Sequence, residues 1–137
     1  MIILSVDYGD SRTGVAVCDK SEMLASPVGV ICESYEPRLL DKLCEIVKEQ
    51  KPERIVVGLP RNMDGSYGER AEKCTQFSEK LCQAACVETV LWDERLTTVS
   101  AHRALNEVNV RGKKRKNIVD AVAAVMILED YMASRKK

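Results

Sequence analysis

Short apolar runs open the chain, and their length is typical of buried strands rather than helices. Ile2–Val6 is the first such run, and Val15–Cys18 and Val28–Cys32 are two further strand candidates. The segment 7–14 between the first two runs contains two glycines with aspartate and serine, which favours a turn. We therefore expect a hairpin followed by a third strand.

From Arg38 onward the apolar spacing becomes helical, and the first helix is ended by Lys51-Pro52. The elements predicted after it are a strand at Ile55–Val57, a helix over 74–85, a strand at Val87–Trp92, a helix around 99–103 and a helix from about Ile118 to Met132.

This order of elements predicts an α/β sandwich with a mixed sheet of about five strands. Helical crossovers imply right-handed, parallel connections between the later strands. The length of 137 residues fits one domain, 1–137, and the composition excludes collagen-like and largely disordered classes. The first residues lack the basic region of a signal peptide, and no apolar run is long enough for a membrane span. We expect a cytoplasmic protein without a membrane partner.

The cysteines and the histidine do not form a pattern that favours zinc. The six cysteines include no Cys-x-x-Cys pair, and His102 is the only histidine. In a chain without a signal peptide, we expect the cysteines to be reduced and to act as small buried hydrophobic residues.

Acidic residues follow two of the predicted strands. Asp7 ends the first, and Asp93 with Glu94 ends the strand at Val87–Trp92, so carboxylates from two strands are expected in one crevice. Asp120 lies in the apolar last helix, where a cation or hydrogen-bond donors would have to offset the cost of burying its charged carboxylate. The alternative is a helix cap, which the arrangement Asn117-x-x-Asp120 also fits. Convergent carboxylates without histidine favour Mg²⁺ or Mn²⁺ over zinc. Two such ions could activate a water for phosphodiester hydrolysis.

Net charge is distributed unevenly although it sums to zero. Residues 1–94 carry a balance of −6 and residues 95–137 a balance of +6. A basic loop is predicted at 111–116, and Arg12 and Arg95 adjoin the candidate acids. These cations fit phosphate contact, while a solvated surface or pairing with neighbouring carboxylates is the alternative. The residues predicted to contact nucleic acid are Arg12, Arg95, Arg111, Lys113, Lys114, Arg115 and Lys116.

Four motifs occur in order and span essentially the whole chain. They are Asp7-Tyr8-Gly9-x-x-Arg12-x-Gly14, Val57-Gly58-Leu59-Pro60 with Asp64-Gly65-Ser66, Asp93-Glu94-Arg95-Leu96-Thr97-Thr98, and Asp120-x-x-Ala123-Ala124. Together they resemble the putative pre-16S rRNA nuclease family, also called Holliday-junction-resolvase-like. The hexapeptide that begins at Asp93 is the most specific of them.

The resemblance implies a ribonuclease H-like fold and a Mg²⁺- or Mn²⁺-dependent nuclease that trims the 5′ end of the 16S ribosomal RNA precursor. It makes Asp7, Glu94 and Asp120 the catalytic acids, with Asp93 as a supporting or substitute ligand. Junction resolvases carry an acid after the strand that corresponds to Ile55–Val57, where this chain has Gly58-Leu59-Pro60. The Asp93-Glu94 pair would have to replace that acid.

Two other classes of function remain open at this point. The turn that follows Asp7 also resembles the first turn of sugar kinases and actin-like ATPases, which need two lobes where this chain supplies one. A non-catalytic RNA- or ribosome-binding module would explain the charge asymmetry as well as a nuclease does. The expected partners are structured RNA (pre-16S rRNA and ribosomal particles), with branched DNA as the alternative substrate. The expected state is a monomer or weak homodimer.

Overall fold

The computed structural model describes residues 1–60, 68–93 and 113–136, with side chains from residue 121 onward in the last of these segments. Its strands are β1 (Ile3–Asp7), β2 (Arg12–Cys18), β3 (Ala25–Cys32), β4 (Arg54–Leu59) and β5 (Glu88–Asp93). Its helices are α1 (Glu36–Gln50), α2 (Glu69–Ala85) and α3 (Lys113–Arg135).

The five strands form one mixed sheet in the order β3-β2-β1-β4-β5. The first three strands are antiparallel neighbours, and β4 pairs in parallel with both β1 and β5. The predicted combination of three leading strands and later parallel strands is therefore confirmed. Because β1, β4 and β5 run in the same direction, their carboxyl ends lie at one edge of the sheet.

Side chains alternate between two faces of the sheet, and each face packs against different helices. Leu4 and Val6 of β1 pack in the core formed with α1 and α2, around Leu43 and Phe77. Ile3, on the other face, packs in the core formed with α3. We call these the α2 face and the α3 face.

The predicted end of the first helix is confirmed, and its start, Glu36, lies two residues before the predicted one. Pro37 lies in the first turn of α1, where backbone N–H groups have no hydrogen-bond partner within the helix, so the N–H that proline lacks is not needed. Lys51 adopts a left-handed conformation with φ of 52° and donates its backbone N–H to the Val47 carbonyl oxygen at 2.8 Å. Pro52 follows and cannot continue the helix.

The predictions around the last helix need correction. Residues 113–116 were expected in a loop, but α3 begins at Lys113. Lysine and arginine are good helix formers, so a basic run without glycine or proline extends a helix readily. The helix predicted around 99–103 lies outside the described residues. No helix in the described part of the chain is both long enough and apolar enough to cross a membrane.

Burial of the cysteines is confirmed only in part. Cys18 and Cys74 are buried, whereas Cys32 and Cys86 are exposed. Cys32 is the last residue of β3, an edge strand, and Cys86 caps the end of α2, so both lie at the ends of their elements.

Polar contacts fix the direction of α3 across the sheet. Arg135, at the end of the helix, pairs with Glu22 at 2.8 Å, and Glu22 also pairs with the amino group of Met1 at 3.1 Å. The hydroxyl of Tyr131 accepts a hydrogen bond from Arg54, the first residue of β4, at 2.9 Å. The C-terminal half of α3 therefore lies at the end of the sheet where β1 and β4 begin.

Candidate active site

Asp7 is a buried carboxylate at the carboxyl end of the central strand β1, with 6% of its surface exposed. Two residues earlier, the buried Ser5 donates a hydrogen bond to the Ala124 carbonyl oxygen of α3 at 2.7 Å. Residues two apart in a strand share a face, so Asp7 lies on the α3 face. An acid so little exposed at a strand end is the strongest candidate for chemistry in the described residues.

The turn after Asp7 is tight. A Cβ on Gly9 would collide with the Arg12 carbonyl oxygen, so a larger residue could not be accommodated without moving the backbone. The backbone N–H of Gly9 also donates to the Thr13 hydroxyl at 3.5 Å. The first motif therefore has a steric requirement for glycine at this position.

Tyr8 points to the opposite face from Asp7. Its ring stacks on Phe77 of α2 with centroids 4.1 Å apart, and its hydroxyl donates to Glu36 at 3.5 Å. Burial raises the pKa of the Tyr8 hydroxyl, and the negative charge of Glu36 raises it further, while Arg70 acts in the opposite direction. Tyr8 therefore stays a neutral donor and serves as an anchor of the turn on the α2 face.

Arg12 lies on the same face as Asp7. It is the first residue of β2, and Gly14, two positions later, is paired with Asp7. By strand geometry the Cα atoms of Arg12 and Asp7 are roughly 8 Å apart. A guanidinium on that strand can reach a phosphate held near the Asp7 carboxylate.

Asp93 lies at the same edge of the sheet as Asp7 but on the other face. It is paired with Leu59, which packs against Ala71 and Cys74 of α2. Trp92 is paired with Gly58, the neighbour of Asp7 on β4, and packs with the α3 core. The structure thus separates Asp93 from Asp7, and Glu94 lies outside the described residues.

The backbone of α3 brings position 120 toward Asp7. Ala124 contacts Ser5, and residues four apart share a helical face, so position 120 is on the sheet-facing side of the helix. One turn of helix rises about 5.4 Å, and the C-terminal end of α3 lies at the opposite end of the sheet. Position 120 is therefore displaced from Ser5 in the direction of Asp7, although the Asp120 side chain lies outside the described part.

The remaining predicted contacts to nucleic acid fall at or beyond the start of α3. Lys113, Lys114, Arg115 and Lys116 form its first turn and the start of the second, with undescribed side chains. Arg95 and Arg111 lie outside the described residues.

The donor types at this site fit a hard divalent cation. Carboxylate oxygens are the ligands that Mg²⁺ and Mn²⁺ prefer, and Asp7 supplies one from a rigid strand. Among the residues whose side chains are described, no three histidine, cysteine or acidic groups cluster as a metal site. Two of the four predicted ligands, Glu94 and Asp120, are not among those side chains.

Sequence analysis did not single out Arg70, which contacts the turn after Asp7. The available signal is its spacing, because position 70 lies one helical turn before Cys74 and beside Ala71, the first buried residue of α2. A charged residue at the border of the buried stripe of a helix indicates a specific partner.

Comparison with known proteins decides the family. The sequence profile described as RuvX, Holliday junction resolvase, matches residues 1–134. The chain belongs to the RuvX family. A protein of Halothermothrix orenii, named "putative pre-16S rRNA nuclease", is 42% identical to this RuvX chain over 137 residues, which cover 100% of this chain and 98% of the relative. A Bacillus cytotoxicus protein with the same name is 41% identical and covers 98% and 100%. The resemblance found in the sequence motifs is therefore confirmed, and the family is one of nucleases.

Solved structures similar to this RuvX chain have the ribonuclease H-like fold of RuvC. Thermus thermophilus RuvC matches with a TM-score of 0.62 at 14% identity, over 99% of this chain and 96% of that chain. RuvC in complex with a Holliday junction substrate matches with a TM-score of 0.60 at 15% identity and the same coverage. At these identities the likeness establishes the fold, and the predicted fold class is confirmed.

Proposed function

We propose that this chain is a Mg²⁺- or Mn²⁺-dependent nuclease that hydrolyses phosphodiester bonds of structured RNA, at the 5′ end of the 16S rRNA precursor. The single observation that carries the proposal is the placement of Asp7, a nearly buried carboxylate at a strand end, on the face that α3 crosses. The names of the curated relatives support the substrate. We further propose that residues 1–137 form one domain that acts in the cytoplasm.

The proposed ligand set is Asp7, Glu94 and Asp120. Asp7 occupies the α3 face, and position 120 approaches it along α3. Asp93 is paired with Leu59 and shares its face, which is opposite to the face of Asp7. Glu94 is therefore preferred over Asp93 as the second carboxylate, and Asp93 takes a supporting role.

In the proposed site, the acidic residues bind the cation and the arginines bind the substrate. A divalent cation would supply activation of water and neutralisation of charge on the phosphate. Asp7 offers its oxygens from a strand that cannot shift without breaking pairing with β2 and β4, so its position is set before substrate arrives. Arg12, on the same face, and Arg95 are proposed to grip the phosphate next to the scissile bond.

The basic residues Arg111, Lys113, Lys114, Arg115 and Lys116 are proposed to hold the nucleic-acid backbone at the N-terminal end of α3. Because aromatic residues make up only 4% of the chain, contact with phosphates and with helical shape is favoured over base stacking.

The substrate is tested by giving the purified protein, with Mg²⁺ or Mn²⁺, a labelled 5′-extended 16S precursor fragment and a labelled four-way DNA junction of equal length. The precursor should be cut with the higher kcat/KM. Branched DNA is the alternative that the family description raises, and preferential cutting of the junction would replace RNA with DNA as substrate. Binding of the precursor without cleavage under any metal condition would favour the non-catalytic assembly module.

A further inference from the structure

Arg70 reaches from the first turn of α2 to the turn that follows Asp7. Its Nη2 donates to the carbonyl oxygen of Tyr8, and its Nη1 lies 2.6 Å from a carboxylate oxygen of Asp10. Its guanidinium carbon is 5.2 Å from the centroid of the Tyr8 ring. All three contacts fall on residues 8–10, directly after the candidate metal ligand.

The same helix holds the Tyr8 ring. Phe77, two turns beyond Arg70 in α2 and fully buried, stacks on the ring with an interplanar angle of 1°. Tyr8 is thus fixed both at its backbone carbonyl, by Arg70, and at its ring, by Phe77. Since successive residues of a strand point to opposite faces, a Tyr8 fixed against α2 sets the direction of Asp7 on the α3 face.

The contacts of Arg70 contribute more to geometry than to overall stability. Asp10 is 77% exposed and Arg70 35% exposed, and ion pairs at that exposure stabilise a fold very little. A planar guanidinium, however, can bond two oxygens at once and keep them at a fixed separation, which a lysine ammonium cannot do with the same precision.

We propose that Arg70 is a positioning residue of the active site: by holding the Tyr8 carbonyl and Asp10, it fixes the turn that orients the Asp7 carboxylate toward the metal. This inference rests on the proposed function, because it assigns Arg70 a role in the site that Asp7 forms. Residues that orient a metal ligand without touching the metal typically change affinity or activity by about 10–100-fold when they are removed.

The test compares Arg70→Ala and Arg70→Lys with Lys80→Ala. Lys80 is the matched control, because it lies on the same helix and pairs with Glu36 at 2.7 Å, so its loss also removes one positive charge and one ion pair. Since Glu36 also accepts the hydrogen bond of the Tyr8 hydroxyl, this variant removes a charge near Tyr8 while the bond from Arg70 to the Tyr8 carbonyl stays in place. Three quantities are measured for each protein: amide hydrogen exchange in residues 8–12, affinity for Mn²⁺ in the absence of substrate, and kcat and KM for the precursor fragment.

Arg70→Ala should speed exchange in residues 8–12, weaken Mn²⁺ binding by about tenfold and lower kcat by about 10–100-fold with little change in KM. Arg70→Lys should recover only part of the lost Mn²⁺ affinity and of the lost kcat. Lys80→Ala should resemble the wild type in all three measurements. Arg70→Ala should melt at a slightly lower temperature than Lys80→Ala, because it removes the bond to the Tyr8 carbonyl in addition to an ion pair.

Two results would overturn the role of Arg70. One is equal behaviour of Arg70→Ala and Lys80→Ala in exchange and Mn²⁺ affinity. The other is a rise in KM alone that Arg70→Lys restores fully, which would make Arg70 a phosphate contact. If the wild-type protein neither binds Mn²⁺ nor cleaves, the proposed function fails, and exchange in residues 8–12 alone decides whether Arg70 holds the turn.

Discussion

At Asp7, alternation along a strand decides which side of the sheet carries the carboxylate. Ile3 and Ser5 share its face and contact α3, while Tyr8 faces α2. The sequence alone predicted that Asp7 ends a strand, because an acid after an apolar run is visible in the pattern. The face was not predictable, since it depends on which helix covers which side.

Alternation along β5 also bears on Asp93, which the sequence left as an alternative to Glu94 for the second ligand. Only the pairing of Asp93 with Leu59, a residue packed on α2, assigns Asp93 to the face opposite Asp7. That register depends on β4 and β5 being neighbours, so no local pattern contains it.

We predict that Glu94→Gln lowers kcat for precursor cleavage by about 100-fold or more, the scale of losing one group that stabilises charge in an active site. Asp93→Asn, the matched control, should lower kcat by far less, because Asp93 faces α2. Steady-state kinetics with Mn²⁺ measure both variants. A larger loss in Asp93→Asn than in Glu94→Gln would make Asp93, and not Glu94, the second ligand.

Among the elements, α2 and α3 differ most from their predicted bounds, since each begins about five residues earlier than predicted, and β3 begins three residues earlier. The prediction for β3 began at Val28, yet pairing with β2 extends the strand back to Ala25 and includes Pro27. Proline is tolerated there because β3 is an edge strand. Residues 113–116 of the predicted loop 111–116 are helical, since lysine and arginine have high helix propensity. The prediction was wrong there because a cluster of charges was interpreted as a loop.

The first turn of α3 has an unfavourable electrostatic arrangement for a helix. Cations are destabilising near a helix N-terminus, where the macrodipole is positive, and this turn contains no acidic residue. A sequence selected for stability alone would not place Lys113, Lys114, Arg115 and Lys116 there. Their position favours a role in binding an anionic partner.

Replacement of those four residues by alanine should weaken binding of the precursor RNA. The slope of log K against log salt should become less steep by up to about 3, because each lost phosphate contact removes roughly 0.7 from it. The melting temperature should stay equal or rise, since the unfavourable charges are gone. Filter binding across a salt series measures the slope. An unchanged slope would remove the start of α3 from the interface.

The control variant removes the same number of cations from other exposed positions and should leave the slope close to that of the wild type. Its substitutions replace with alanine the exposed residues Lys20, Lys42, Lys48 and Lys73. A slope flattened equally in this control would indicate attraction by overall charge rather than contact at α3.

Over the whole molecule, the sheet has a structural end and a candidate catalytic end. At the first, Arg135, Glu22 and the amino group of Met1 form ion pairs that hold the C-terminus of α3. At the second, β1 ends at Asp7, and the N-terminal half of α3 lies toward this end. The predicted sheet and its parallel strands followed from hydrophobic pattern alone, because each crossover contains a helix. Two of the contacts that hold α3 in place, Ser5 with Ala124 and Glu22 with Arg135, join residues more than 100 positions apart and have no local signature.

The most direct test of the central claim is cleavage of a labelled 5′-extended 16S precursor fragment by wild type and Asp7→Asn side by side, with Mn²⁺, with Mg²⁺ and with chelator. We expect metal-dependent products from the wild type, no products from Asp7→Asn, and RNA binding by Asp7→Asn that is equal or tighter because a negative charge is gone. Products of equal yield from both proteins, or cleavage that persists in chelator, would contradict a metal-dependent active site at Asp7.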